Sequence, residues 1–233
     1  MKDQYFGDVN DYRKYGLLRA LQAGGLGGLL VAWMLTGNDK RRDGNMREYL
    51  DRPDRWRHID SQLYDGLRQV LQTADQPSVS LIHDAGLLPR TRFFSDIVPD
   101  DMVEREAWRR RLLLAAQGAD LVFLDPDNGI EVKSKPVGRK DSSKYVTWSE
   151  IDQLWESGCS VLVYQHFTRE KRQAFMERLS TELRQRTSAP LVAAFRTPHV
   201  LFLLAAQERH RESMTAVTDG PGLEAWRGQI DVA

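Results

Sequence analysis

The chain has 233 residues, of which 41% are hydrophobic and 28% are charged, a composition typical of globular proteins and not of disordered ones. Its formal net charge is zero, which excludes a global electrostatic attraction to nucleic acid and leaves only local basic clusters. The lone Cys159 excludes an internal disulfide and a multi-cysteine zinc site, and we expect it in the core. Residues 1–5 carry no apolar signal region, and no apolar run approaches the roughly 20 residues of a membrane span. We therefore expect a cytoplasmic protein without a membrane partner.

Apolar segments of strand length alternate with longer amphipathic segments, which predicts a mostly parallel sheet with helices on both faces. In chain order, we predict helices at residues 11–23, 59–71, 103–116, 148–157 and 169–186. Strands are predicted at residues 29–35, 79–82, 91–94, 120–124, 160–164, 191–195 and 200–204. Pro198 separates the last two strands, which indicates an antiparallel hairpin at the sheet edge. The fold class is therefore α/β, doubly wound, in a single domain of residues 1–233 with a short N-terminal helical extension.

Ligands of open α/β sheets bind beyond the carboxyl ends of the strands, so the polar residues at those ends are the candidate site. Those residues are Thr36, Gly37, Asp39, His83, Asp84, Ser95, Asp96, Asp125 to Asn128, Gln165 and His166. His166 follows an interior strand, where a functional and a structural role are equally compatible with the sequence.

The sharpest local signal is Asp125-Pro126-Asp127-Asn128, which follows an apolar strand directly. Enzymes that methylate exocyclic amines of bases have an Asp/Asn-Pro-Pro-aromatic turn there, because a weakly nucleophilic amine needs oxygen acceptors and a stacking ring. In this chain Asp127 replaces the second proline and Asn128 replaces the aromatic residue. The alternative is a structural Asx-type turn that uses Gly129 at a positive φ.

Two other hypotheses come from the same segment. Asp125, Asp127 and Glu131, followed by Lys133, resemble the metal cluster of many nucleases, which would use Mg²⁺ with Lys133 or His166 assisting a bound water. A calcium loop is excluded, because its twelfth position would be Pro136 instead of glutamate.

The segment from Lys133 to Lys144 is basic and short of apolar residues, so we predict a loop over the site that is mobile without a ligand. Contact with a polyanion, RNA or DNA, is expected from Lys140, Ser142 and Lys144. Arg169, near the same sheet edge, is a further candidate for phosphate contact. The alternative is a solvated linker.

Taken together, the chain resembles the bacterial large-subunit ribosomal RNA adenine-N6 methyltransferases, S-adenosylmethionine-dependent enzymes with a Rossmann-like fold and a short N-terminal extension. Residues 6–15, Phe-Gly-Asp-Val-Asn-Asp-Tyr-Arg-Lys-Tyr, resemble that family's opening segment, and Lys14 falls on its cofactor-contacting lysine. Residues 30–39, with Gly44, Tyr49 and Leu50, resemble its first strand and the following loop. Asp125-Pro126 falls on its catalytic turn, and residues 164–166 with the terminal hairpin fall on its last three strands.

The resemblance implies a methyltransferase with its cofactor over the carboxyl ends of the first two strands. There, Thr36, Gly37, Asp39, His83, Asp84 and Asp96 are the candidate cofactor-binding residues. It also implies that Asp125, Pro126, Asp127, Asn128 and His166 form the catalytic group and that Asp125 orients the acceptor. The chain departs from the family at residues 33–37, Trp-Met-Leu-Thr-Gly, and at residues 127–128. These departures leave a third hypothesis open, a non-catalytic binding module that has kept the fold.

Overall fold

The computed structural model describes residues 1–37 and 46–233. Its helices are α1 (Val9–Ala23), α2 (Pro53–Trp56), α3 (Ser61–Thr73), α4 (Ser80–Asp84), α5 (Met102–Ala116), α6 (Trp148–Glu156), α7 (Arg172–Thr187) and α8 (Arg211–Thr218). Its strands are β1 (Leu29–Ala32), β2 (Thr91–Phe94), β3 (Leu121–Leu124), β4 (Gly129–Ile130), β5 (Tyr145–Val146), β6 (Ser160–His166), β7 (Leu191–Arg196), β8 (Val200–Ala206) and β9 (Asp231–Val232). None of the helices in these ranges combines the length and apolar character needed to cross a membrane.

The main sheet has the order β2-β1-β3-β6-β8-β7-β9. Strands β2, β1, β3 and β6 are parallel, whereas β8 lies antiparallel between β6 and β7, and β9 pairs antiparallel with β7. The two short strands β4 and β5 form a separate parallel pair. The structure therefore confirms an α/β fold with a parallel centre and a C-terminal antiparallel hairpin, although β9 and not the hairpin forms the outer edge.

Alternating strand residues divide the core into two layers. Leu29 and Val31 of β1 pack with α1, α3 and α8 on one face of the sheet. Leu30 and Ala32 pack with α5, α6 and α7 on the other. Because every residue of β1 is buried, the strand is apolar throughout, as expected for a parallel strand covered on both sides.

The structure corrects one predicted strand. Residues 79–82 belong to a short helical segment, and α4 continues to Asp84. Val79 and Ile82 are buried while Ser80 is exposed, a three-residue spacing that suits a helix better than a strand. A mostly apolar segment of four residues fits a helix and a strand equally well, so the sequence could not distinguish them. Because the segment is helical, His83 and Asp84 do not lie at a strand end.

Several element boundaries also differ from the prediction. Strand β1 ends at Ala32, three residues early, and α7 begins at Arg172, which leaves Arg169 in the preceding loop. Helix α1 begins at Val9, two residues before the predicted start, because the Asp8 carboxylate caps it. Thr147 caps α6 with a complete capping box.

The amino ends of the central strands are joined by a polar cluster of Asp120, Ser160 and His210. Asp120 Oδ2 accepts from the backbone amides of Gly27 and Gly28, each at 2.9 Å, and Oδ1 lies 3.1 Å from His210 Nε2. His210 Nδ1 lies 2.8 Å from Ser160 Oγ. Ser160 is fully buried, so this Ser-His-Asp arrangement is structural and not nucleophilic.

We expect Asp120→Ala to lower the free energy of unfolding at pH 7 by about 1–3 kcal/mol, because it leaves partly buried donors unsatisfied. Burial raises the pKa of Asp120, but the Gly28 amide and His210 outweigh it and the net pKa is lowered. The stabilisation is therefore present above the unfolded pKa, near 4, and is lost as pH falls through the folded pKa. Urea unfolding at pH 7 and pH 3 measures this, with exposed Asp75→Ala as the control. Equal losses at both pH values would contradict it.

Candidate functional site

A cavity of about 460 Å³ lies at the carboxyl ends of β3 and β6. That location and size match the usual ligand sites of open α/β sheets. The N-terminal segment, the start of α1, the turn after β3 and the end of β6 form its walls. Its lining residues are Met1, Lys2, Tyr5, Asp8, Asn10, Asp11, Lys14, Met46, Asp125, Pro126, Asp127, Asn128, Lys144, Tyr164, His166 and His199.

The turn after β3 is held rigidly at the cavity wall. Gly129 has a φ of 117°, which confirms the positive φ expected at this position. Gln165 of β6 accepts from the Ile130 amide at 2.8 Å and donates to the Asn128 carbonyl at 3.2 Å. A Cβ atom at Gly129 would come within 2.4 Å of the Gln165 side chain, so both φ and space require glycine there.

Lys14 of α1 is buried against the turn. Its Nζ lies 2.7 Å from Asp11 Oδ1 and 2.8 Å from Asp125 Oδ2. Burial lowers the pKa of Lys14, but the two carboxylates outweigh burial and raise it, so the side chain is a cation at neutral pH. The rings of Trp33 and Tyr164 also face the ammonium, at 5.6 and 5.3 Å from their centroids.

Asp125 is a direct partner of Lys14. The residue is 1% exposed, and Oδ2 is occupied by Lys14, so the side chain holds the lysine through one of its two oxygens while it lines the cavity. Burial raises the pKa of Asp125, and Lys14 offsets only part of that rise.

The other predicted catalytic residues differ in their availability. Asp127 is engaged by the Met1 ammonium at 2.6 Å and by Thr36 Oγ1 at 2.5 Å. Burial raises the pKa of Asp127, but the ammonium and the hydroxyl outweigh it and lower the pKa. His166 is exposed to the cavity, 3.3 Å from Tyr164 Oη, and the surrounding protein lowers its pKa by desolvation. His166 is therefore neutral at neutral pH and can exchange a proton.

Sequence reasoning missed Asp8 and Asn10, two polar cavity residues. Asp8 Oδ1 accepts from the Asn10 amide at 2.8 Å and the Asp11 amide at 2.9 Å. Burial, and then repulsion from Asp11, raise the pKa of Asp8 to about 7. The missed signal was the Asp before the first apolar-periodic residue, which is the preferred N-cap pattern.

The predicted cofactor-binding residues do not converge. Of them, Lys14 lines the cavity, and Thr36 donates a hydrogen bond to Asp127, which also lines it. Gly37 is exposed and is not part of the cavity wall. His83 and Asp84 face solvent on α4 and contact each other. Asp96 follows β2 but pairs with Arg111 on α5. Asp39 lies outside the described residues.

The residues that directly follow β1 pack into the core. Trp33 and Met34 are both fully buried, and Trp33 stacks on Phe93 with their ring centroids 6.0 Å apart. Trp33 is therefore a core residue, as is Cys159. The cavity that the described residues form lies over β3 and β6.

The basic loop is more firmly attached than expected. The Asp100 carboxylate accepts from the Asp141 amide at 2.9 Å, the Ser143 amide at 2.7 Å and Ser142 Oγ at 3.2 Å. Ser142 is buried by these contacts and is not available for phosphate, which corrects its predicted role. Lys144 lines the cavity and pairs with Asp141 at 2.9 Å.

The remaining substrate candidates lie on segments that border the cavity. Lys140 and Arg169 are exposed, and their charged groups form no ion pair within the described residues. They remain candidates for phosphate contact.

The proposed nuclease cluster does not form. Glu131 Oε1 accepts from the Trp148 amide at 2.7 Å, at the start of α6, while Asp125 contacts Lys14. Within residues 1–37 and 46–233, no three His, Cys, Asp or Glu side chains are placed to hold a metal ion. The geometry does not favour the Mg²⁺ hypothesis.

The cavity thus combines a fixed cation, a carboxyl group that titrates near neutral pH, and a neutral histidine. Such a set can bind a polar ligand of mixed charge and move a proton to or from it.

No model of a known protein family matches the chain, and no curated protein shows significant similarity to it.

Proposed function

We propose that the chain is a methyltransferase-like enzyme with a Rossmann-like fold, which transfers a methyl group from S-adenosylmethionine to a nucleic-acid base. The cavity over β3 and β6 is its active site. In this proposal His166 serves the acceptor and its proton, Asp8 faces the positive charge of the cofactor, and Asp125 positions Lys14.

The observation that carries the proposal is the meeting of two distant segments. The resemblance rests mainly on residues 6–15 and on Asp125-Pro126, more than 100 positions apart, and a direct ion pair between Lys14 and Asp125 joins them. Both segments line the same cavity. This supports the assignment of both segments to one site, because a resemblance that arose by chance would not require them to be in contact.

The donor set of the cavity suits S-adenosylmethionine in charge and size. The cofactor supplies a methyl group on a positively charged sulfur and also carries an ammonium and a carboxylate. Asp8 Oδ2 and Asn10 Nδ2 have no partner among the described residues, and both side chains line the cavity. Asp8 would face a positive charge, and Lys144 would face the carboxylate.

The nucleic-acid part of the proposal rests on local charge. Exposed cations that form no ion pair within the described residues lie on the loops beside the cavity: Lys133, Arg139, Lys140, Arg169 and Lys171. Five such cations allow several phosphate contacts although the chain is neutral overall. Salt screens charges that lie farther than about 10 Å from a phosphate, so only the nearby cations determine the attraction.

Calorimetry with S-adenosylmethionine and S-adenosylhomocysteine tests the proposal. We expect heat from both ligands with the wild type and none with Asn10→Phe, which places a ring in the cavity from the start of α1. Gln72→Phe, on the exposed face of α3, is the control and should bind as the wild type does. The absence of heat with the wild type at millimolar ligand would exclude the proposed cofactor.

A further inference from the structure

Asp8 occupies an unusual position, because a helix cap is normally a surface carboxylate and this one is 6% exposed inside a cavity wall. One carboxylate oxygen, Oδ1, is fixed by the Asn10 and Asp11 amides at the start of α1. The other, Oδ2, has no donor among the described residues. Capping therefore fixes the orientation of the side chain and leaves one oxygen for a ligand.

A second polar side chain of the wall is in the same situation. Asn10 is 8% exposed, and its Oδ1 lies 3.5 Å from Arg13 Nη1, whereas its Nδ2 has no acceptor among the described residues. Both free atoms are open to the cavity, so a polar ligand there can reach an acceptor on Asp8 and a donor on Asn10.

The charges around Asp8 determine which ligand group its free oxygen would accept. Asp8 interacts electrostatically with titratable groups of three elements. They are Asp11, Arg13, Lys14 and Tyr15 of α1, Tyr49, and Tyr164 of β6. The rest of the cavity contributes Lys2, Asp125, Asp127, Lys144, His166, His199 and the Met1 ammonium. Lys14 contacts Asp11 and Asp125, and the Met1 ammonium contacts Asp127. Within residues 1–37 and 46–233, no cation forms an ion pair with Asp8.

We propose that Asp8 binds the positively charged group of the ligand in exchange for a proton. The inference rests on the proposed function only for the identity of that ligand, S-adenosylmethionine. Without ligand, a proton on Asp8 relieves its repulsion from Asp11. With ligand, the positive charge does so, and the proton leaves to the solvent.

The pKa of Asp8, raised to about 7, places this exchange at neutral pH. Only the ionised carboxylate competes for the cation, so affinity should follow the ionised fraction, which rises about tenfold between pH 6 and pH 8. His166 and His199 have lowered pKa values, mainly through desolvation, which moves their titration away from pH 7. We therefore assign the pH dependence of ligand affinity to Asp8.

The test is calorimetric titration of the full chain with S-adenosylmethionine at pH 7, in buffers of different ionisation enthalpy, repeated from pH 6 to pH 8. We expect release of about half a proton at pH 7 and affinity that increases about tenfold from pH 6 to pH 8. Asp8→Asn keeps a good helix cap and should abolish both effects. Asp101→Asn makes the same change at the exposed cap of α5, is the matched control and should retain both.

The outcomes separate the two proposals. Binding without proton release, or release that persists in Asp8→Asn, overturns the role of Asp8 and leaves the proposed cofactor standing. If the wild type binds no S-adenosylmethionine from pH 6 to pH 8, the proposed function fails and this inference fails with it. Circular dichroism and thermal unfolding of Asp8→Asn establish that the variant is folded.

Discussion

Replacing Lys14 with methionine is expected to lower the free energy of unfolding at pH 7 by about 3–5 kcal/mol, because it leaves two buried carboxylates without their cation. Lys14 also lowers the pKa of Asp125, so its loss should raise that pKa further. The variant should then take up protons readily on mild acidification. We therefore expect its stability deficit to shrink between pH 7 and pH 5, as measured by urea unfolding.

Asp125→Asn tests the same cluster from the other side. Combined with Lys14→Met it removes one of the two uncompensated charges, so the double variant should be more stable than Lys14→Met alone. A Lys14→Met protein as stable as the wild type, with no dependence on pH, would show that the ion pairs contribute nothing to the fold.

Glu150→Ala should have an effect of similar size at a second buried pair. Glu150 accepts from Arg105 Nε at 2.6 Å and from Nη2 at 2.8 Å, and both side chains are nearly inaccessible. Arg105 Nη1 already lacks a partner. Removing the carboxylate leaves a buried, unpaired guanidinium and breaks the capping box of α6, and we expect a loss of about 3–5 kcal/mol in chemical unfolding.

The control for Glu150→Ala is the Arg105→Met, Glu150→Met double variant. It removes both charges and keeps apolar volume, so it should recover much of the lost stability. Asp65→Ala breaks an exposed ion pair with Arg57 and should leave the unfolding midpoint close to that of the wild type. Equal losses in Glu150→Ala and the double variant would mean that packing volume, and not charge, stabilises the contact between α5 and α6.

The sequence was sufficient to predict the sheet where strands were long, apolar and bounded by glycine or proline. Strands β3, β6, β7 and β8 were placed within a few residues, because burial of most of their side chains leaves a continuous apolar run. The strand predicted at residues 79–82 was wrong, because so short an apolar segment also fits a helix with two buried positions.

The site was predicted less well, because its central contact is tertiary. The order of residues placed Asp125 at a strand end but could not show that Lys14 occupies its carboxylate. It also could not show that Asp8 lies inside a cavity, because an N-cap aspartate is usually exposed. Asp96 and Ser142 were polar at plausible positions, yet each is engaged by a neighbouring element.

The central claim, methyl transfer at the cavity over β3 and β6, is tested most directly by incubating the protein with S-adenosylmethionine that carries a labelled methyl group. Unmodified bacterial RNA and DNA, supplied separately, are the acceptors. We predict that the wild type and Gln72→Phe transfer label to one of them and that Asn10→Phe does not. Binding of the cofactor without label in either nucleic acid would contradict the claim and favour a non-catalytic binding module.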